Sequence, residues 1–137
     1  MKRADATFVN ETYDAETYDD REGTALGRIH ITRRFVGDLE GEATAELLTA
    51  MTKSGAAVYV ALDRITGRLD GRQGSFVLHH RGTVSAEGAV TDGAVVPDSG
   101  TGELRSLRGQ GTITVDADGT HRLTLEYALD ESSDAAA

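Results

Sequence analysis

Glycine follows a polar residue repeatedly along this chain, at spacings that leave room only for short regular segments between turns. The pairs are Glu22-Gly23, Glu40-Gly41, Ser54-Gly55, Asp70-Gly71, Glu87-Gly88, Asp92-Gly93 and Asp118-Gly119. Asp-Gly supplies the positive φ angles that a tight hairpin turn requires. With 16 glycines against one proline, the sequence predicts short extended strands joined by tight turns.

Between these turns, apolar residues alternate with the period of a β-strand. One predicted face holds Leu123, Leu125, Tyr127 and Leu129. Two further segments show the same alternation: Val58, Val60 and Leu62 oppose Tyr59, Ala61 and Asp63, and Phe76, Leu78 and His80 oppose Val77 and His79. Such segments are typical of strands with one face toward a core.

Residues 42–51 contain helix-favouring residues, and Ala43, Ala45, Leu47 and Met51 fit either period. Their short length and flanking glycines favour a strand. The predicted strands are 4–12, 25–37, 42–52, 56–67, 73–82, 88–96, 100–115 (interrupted) and 121–130. About eight strands without an intervening helix predict an all-β fold, either an up-and-down antiparallel barrel or a sandwich.

The length of 137 residues fits one domain, predicted over residues 1–130. Residues 131–137 are small and polar and are predicted to form a frayed tail. The absence of cysteine excludes disulfides, thiol nucleophiles and cysteine-ligated metals. No secretory h-region follows Met1 and no apolar run is long enough to span a membrane, so we expect a cytoplasmic protein.

The formal net charge is -9, from 23 acidic and 14 basic residues. A protein that binds a polyanion needs a basic patch, and the longest basic run is Arg33-Arg34. Nucleic acid and anionic membranes are therefore not expected as partners. The negative charge favours solubility.

Three segments carry a family resemblance. Residues 35–42 (FVGDLEGE) resemble an F-x-G-D-L-E-G-E block of DUF3224 proteins, and residues 74–82 (GSFVLHHRG) resemble a G-S-F-V-L-Q-H-x-G block. Residues 95–104 (VVPDSGTGEL), followed by Leu107-Arg108-Gly109, are similar to a V-V-P-G-S-G-T-G-E-L segment and its continuation. The similarity runs in matching order along nearly the whole chain.

This resemblance implies a single antiparallel β-barrel like that of allene oxide cyclases and plant dirigent proteins. It implies no established activity, because the family name denotes unknown function. By analogy of fold, it suggests a hydrophobic small-molecule ligand and chemistry of the cyclisation or coupling type.

The candidate site consists of polar residues placed among apolar strand neighbours. His80 and Asp63 are the predicted acid–base pair, because an imidazole and a carboxylate in a dry cavity suit proton transfer. Tyr59, Glu46 and Glu103 are predicted to orient a ligand. The competing interpretation is that these groups are buried pairs or rim residues without a catalytic role.

Other chemistries have weaker support. His79 and His80 point to opposite faces of a strand and so cannot readily share a metal, and no metal site is predicted. The glycine-rich stretch from Gly100 to Gly111 lacks the Gly-Lys-Ser/Thr ending and the following helix of a phosphate-binding loop. No cofactor is expected, and no serine lies in a nucleophile motif.

Two functions remain open. The first is a small-molecule-binding barrel whose cavity hosts a cofactor-independent cyclisation or isomerisation. The second is a non-catalytic ligand-binding or assembly module. Residues 56–62 are apolar on both predicted faces, so we expect a homo-oligomer, most simply a dimer. Whether the protein is an enzyme is left open by the sequence.

Overall fold

The computed structural model describes residues 1–86 and 88–130, which form one antiparallel sheet. The strands are β1 (Lys2–Asp19), β2 (Thr24–Gly37), β3 (Leu39–Thr52), β4 (Ala57–Leu69), β5 (Arg72–Ser85), β6 (Gly88–Val95), β7 (Thr101–Gly102), β8 (Arg108–Val115) and β9 (His121–Ala128). Eight of them pair in the circular order β1-β2-β3-β4-β5-β6-β8-β9, and β9 returns to β1. The short β7 pairs with β5. The predicted all-β barrel of about eight strands is confirmed.

Alternation along each strand places one set of side chains inside the barrel. In β3, Ala43, Ala45 and Leu47 are buried while Glu42, Thr44 and Glu46 are exposed. Residues 42–51 are therefore a strand, as the flanking glycines predicted. In β9, the predicted inward face of Leu123, Leu125 and Tyr127 is confirmed.

β1 and the glycine-rich segment show where the strand boundaries differ from prediction. β1 extends to Asp19 rather than ending near residue 12, with register shifts at Asn10/Thr12 and Thr17/Asp19. The pairing with β2 continues past these irregularities along an acidic, exposed segment. The stretch after Gly100 is interrupted, as predicted: β7 is followed by turns up to Leu107 before β8 begins.

The two ends of the barrel differ. One end is filled by a cluster of apolar residues from all sides, including Phe35, Leu69, Phe76, Leu104 and Tyr127. Tyr127 Oη donates a hydrogen bond to the Asp70 carboxylate there. This packed end fixes the geometry of the strands that continue toward the other end.

The opposite end is open because several strands lose their partners along its rim. Within the described residues, β9 pairs with β1 over Lys2–Phe8, whereas β1 continues to Asp19. β6 and β8 are paired at Gly93↔Gly111 and Ala94↔Gln110. Beyond these pairs, Thr91 Oγ1 contacts the backbone N and O of Ile113, at 3.2 and 2.6 Å. The inner face at this end is therefore accessible from outside.

The predicted tail, residues 131–137, lies outside the described residues. Among the described residues, no helix has the length and apolar character required to cross a membrane.

Candidate functional site

Three ionisable side chains lie buried on the inner face, at the border between the packed and the open end. Arg33 on β2, Asp63 on β4 and His80 on β5 are 6%, 2% and 5% exposed. Each takes a position that strand alternation directs inward, among neighbours such as Ile31 and Phe35 for Arg33. Buried charges are costly unless they are paired, so their contacts decide what the site can do.

Asp63 lies between the other two groups and uses one carboxylate oxygen for each. Its Oδ1 is 2.7 Å from His80 Nε2, and its Oδ2 is 3.0 Å from Arg33 Nε. His80 Nδ1 lies 3.0 Å from the phenol oxygen of Tyr59. The four residues therefore form one continuous chain, from the Arg33–Asp63 ion pair through His80 to Tyr59.

The tautomer of His80 follows from its partners. A carboxylate only accepts hydrogen bonds, so a neutral His80 donates from Nε2 to Asp63. Its Nδ1 then accepts a hydrogen bond from the Tyr59 hydroxyl. Asp63 in this way orients the imidazole so that an unprotonated nitrogen faces the phenol.

The contact between Arg33 and Asp63 is an ion pair without a hydrogen bond from Nε. The Nε atom is buried and has no partner of suitable hydrogen-bond geometry among the described residues, although Oδ2 is close. Arg33 Nη1 donates to Asn10 Oδ1 at 3.4 Å. The guanidinium also lies 5.0 Å from the centre of the Phe8 ring, a cation–π distance.

Small residues allow this ion pair to form. β3 lies between β2 and β4, where Arg33 pairs in register with Ala43, and Asp63 with Ala45. Both alanines are fully buried. Because their side chains end at Cβ, the longer side chains on either side can meet across β3.

Gly93 on β6 makes room for His80, its register partner on β5. A Cβ atom at position 93 would lie 2.7 Å from His80 Cβ and 2.6 Å from the His79 carbonyl oxygen. Real Cβ atoms do not approach other atoms so closely. The inward position of His80 therefore depends on glycine at this point.

Tyr59 brings the chain of contacts to the surface of the cavity. Burial raises the pKa of its hydroxyl above the ordinary value of 10.0. The negative charges of Asp63 and Asp92 act in the same direction, and the Arg33 charge opposes them. The phenol therefore stays protonated at neutral pH and can donate a hydrogen bond.

The open end encloses a cavity of about 740 Å³ that reaches this network, within the usual size range of ligand pockets. Its polar wall includes Asn10, Arg33, Tyr59, His80 and His121. The apolar wall includes Ile31, Leu47, Val84, Val90, Ile113 and Val115. None of the described residues lining it is Asp or Glu, because Asp63 lies behind His80 and Arg33.

A second hollow, of about 660 Å³, lies mainly on the outer surface of β3, β4 and β5. Leu48, Val60 and Leu62 line it, and they are 48%, 49% and 56% exposed. These three residues, which we call the outer apolar row, point away from the barrel interior. This hollow and the inner cavity both include His80 among their lining residues.

The structure brings three of the five predicted site residues together: His80, Asp63 and Tyr59. Glu46 lies on the outer surface, where its Oε1 is 2.7 Å from His30 Nδ1. Glu103 precedes Leu104 of the packed end and lies beside the start of β5, where its Oε1 accepts a hydrogen bond from Gln73 N at 3.1 Å. Neither glutamate lines the inner cavity.

Sequence reasoning did not select Arg33 or Asn10. The signal for Arg33 was present, since it alternates with Ile31 and Phe35 and so occupies an inward position of β2. A cation at such a position has to find a buried partner. Among residues 1–86 and 88–130, no three His, Asp or Glu side chains are grouped as a metal site requires.

The fold and the site together define a small antiparallel β-barrel that is packed at one end and open at the other, with a buried chain of polar contacts at the floor of the cavity. Residues 4–127 match the family described as "Protein of unknown function (DUF3224)". The chain therefore belongs to the DUF3224 family. Its specific relation to allene oxide cyclases stays a prediction.

A solved structure supports the same assignment. A DUF3224-family protein of unknown function from Shewanella oneidensis MR-1 is 35% identical, with a TM-score of 0.85. The match covers 95% of this chain and 98% of that one. Comparison with curated proteins gave no match.

Proposed function

We propose that this barrel binds a hydrophobic small molecule in its inner cavity and moves a proton on it, as a cofactor-independent isomerase or cyclase. The observation that carries the proposal is the unbroken series of contacts from Tyr59, at the cavity wall, through His80 to the buried Asp63–Arg33 pair. A neutral phenol that is hydrogen-bonded to an imidazole can take up a proton from a ligand and pass its own proton to the imidazole.

The proposed step begins with removal of a proton from an acidic C–H bond of the ligand. The Tyr59 oxygen accepts that proton while its own proton passes to His80 Nδ1, which forms an imidazolium stabilised by Asp63. Arg33 is placed to stabilise negative charge on a ligand oxygen. Return of the proton to a different ligand atom completes an isomerisation, and no co-reactant is consumed.

Asp63 has a different role from Tyr59 and His80. It is not among the residues that line the inner cavity, so it acts on the ligand through His80 rather than by contact. We therefore assign Asp63 as a positioning residue, and Tyr59 and His80 as the groups that exchange protons with the ligand.

Native mass spectrometry of protein purified from its host tests the binding proposal, because a retained ligand adds mass that denaturation releases. The matched variants are Ile113→Glu, which places a carboxylate at the apolar wall of the cavity, and Val36→Glu on the outer surface of β2, where the residue is exposed. We expect ligand loss in the first variant alone. The proposal is contradicted if both variants lose the ligand equally. It is also contradicted if wild type carries no bound mass and binds no apolar probe.

Deuterium exchange tests the proton transfer. The released ligand is incubated with protein in D₂O, and we expect deuterium at carbon to appear faster with wild type than with Tyr59→Phe. Equal rates for the two proteins contradict a relay through Tyr59.

The outer apolar row supports a second candidate function, assembly of copies of this chain. Leu48 and Val60 are register partners, and Leu62 is the next outward residue of β4, so the exposed apolar surface is continuous across two strands. A surface of this kind favours association. We propose a homodimer formed through this row, the simplest closed symmetry.

Light scattering tests the dimer. We expect a mass of twice 14.5 kDa for wild type at micromolar concentration and a monomer mass for Leu62→Glu. A monomer mass for wild type contradicts the dimer and leaves the ligand-binding proposal unaffected.

A further inference from the structure

The lining of the inner cavity has an unusual charge composition for this protein. The chain carries 23 acidic residues against 14 basic ones, yet the described residues of the cavity wall include Arg33, His80 and His121 and no carboxylate. The polar groups that can meet a ligand here therefore include a cation and several hydrogen-bond donors, but no anion.

Arg33 has donor capacity that the protein does not use. A guanidinium carries five N–H groups. Among described residues, its Nε forms an ion pair with Asp63 without hydrogen-bond geometry, and its Nη1 donates a hydrogen bond to Asn10. The remaining N–H groups on Nη1 and Nη2 have no acceptor among the described residues, although the side chain is only 7% exposed.

Two further donors lie around the same wall. Asn10 uses its Oδ1 to accept from Arg33, so that its amide nitrogen is the group left for a ligand. His121 lies against the Phe8 ring, with ring centroids 5.3 Å apart, and the Arg33 guanidinium lies over the same ring. The Phe8 ring therefore contacts two nitrogen-bearing groups.

Building on the proposed function, we infer that the ligand carries a carboxylate head group, which Arg33, Asn10 and His121 bind, and an apolar body that lies along Ile31, Leu47 and Ile113. Arginine binds carboxylates through parallel N–H groups. Arg33 is the one arginine or lysine among the described residues of the cavity wall, so a head group with a single negative charge fits it. This assigns the ligand class as hydrophobic monocarboxylic acids.

The experiment compares two probes with the same alkyl chain, dodecanoate and dodecan-1-ol, below their aggregation concentrations. Each displaces N-phenyl-1-naphthylamine, a neutral dye that fluoresces in apolar sites. We expect dodecanoate to bind about tenfold more tightly than the alcohol, because hydrogen bonds to charged groups stabilise more than neutral ones.

Variants connect the preference to the residues. In the double variant Arg33→Gln/Asp63→Asn, which removes both buried charges together, dodecanoate affinity should fall to that of the alcohol. Alcohol affinity should stay the same. The control Arg64→Gln removes an exposed arginine of β4 and should keep the preference. If the double variant does not fold, His121→Gln and Asn10→Ala should each reduce the preference severalfold.

The outcomes separate the two proposals. The carboxylate assignment is overturned if both probes displace the dye equally, or if the preference for dodecanoate persists in all of these variants. Either result leaves the proposed binding in the cavity unaffected. Failure of the dye and of both probes to bind overturns the two proposals together.

Discussion

Tyr59 and Gly82 are register partners on β4 and β5, and the Tyr59 ring occupies the space where a side chain at position 82 would lie. A Cβ atom on Gly82 would come within 2.2 Å of Tyr59 Cε2. The ring can therefore lie across β5 and reach His80 only because its partner is glycine. The hydrogen bond between Tyr59 and His80 therefore depends on glycine at position 82.

Gly82→Ala should displace the Tyr59 ring and break its hydrogen bond to His80. We expect a loss of about 1–3 kcal/mol in the free energy of unfolding, typical of overpacking, and slower deuterium exchange into the ligand. The control is Gly111→Ala, also on an inner face, where the nearest atom to the new Cβ is 3.4 Å away. Urea unfolding of both variants is the measurement, and equal losses would contradict the steric role of Gly82.

Arg33 and Asp63 should depend on each other for stability. Asp63→Asn leaves the Arg33 charge buried without its counterion, and we expect a destabilisation of about 3–5 kcal/mol. The double variant Arg33→Met/Asp63→Leu removes both charges and should be clearly more stable than Asp63→Asn. Urea unfolding of Arg33→Met, of Asp63→Leu and of the double variant gives the coupling, and additive effects would show that the pair is not coupled.

Part of this site could be predicted from the sequence because hairpin geometry fixes it. Asp70 and Gly71 both have positive φ angles and form the two-residue turn between Leu69 and Arg72. Every β4–β5 pair follows from that turn, including the placement of Asp63 near His80. Strand alternation added that Tyr59, Asp63 and His80 point inward.

Alternation also directs Arg33 inward, but its contact with Asp63 could not be obtained in this way. Arg33 meets Asp63 across β3, so the contact depends on the size of two alanines on a strand between them. Glu46 was predicted at the site from its apolar neighbours, but its alternation with Ala45 and Leu47 directs it outward to His30. Closure of the barrel through β9–β1 and β6–β8 decides where the cavity opens, and no local pattern encodes these long-range pairings.

Tyr59 should make stability fall at alkaline pH. Its pKa is raised in the folded protein by burial, whereas in the unfolded chain it is about 10. The stabilisation is therefore fully present below about pH 10 and is lost as the pH rises through the folded value. Unfolding measured between about pH 9 and about pH 11 should show a smaller decline for Tyr59→Phe than for wild type. Identical declines would contradict this prediction.

His80 and His79 are adjacent on β5 but face opposite sides of the sheet, which makes them a matched pair for the last prediction. His80 is 5% exposed and joins Asp63 to Tyr59, whereas His79 is exposed. Glutamine at position 80 can keep a hydrogen bond to one partner but cannot take up a proton for the relay. His80→Gln should therefore slow deuterium exchange into the ligand by about 100-fold or more, as expected for loss of a general base. The melting temperature of His80→Gln should stay close to that of wild type. His79→Gln should leave both the melting temperature and the exchange rate unchanged. Parallel thermal melts, binding titrations and exchange rates on both variants are the measurements. If His80→Gln lowers the melting temperature while ligand affinity and exchange stay at wild-type values, His80 is a packing residue of the core and has no place in the relay.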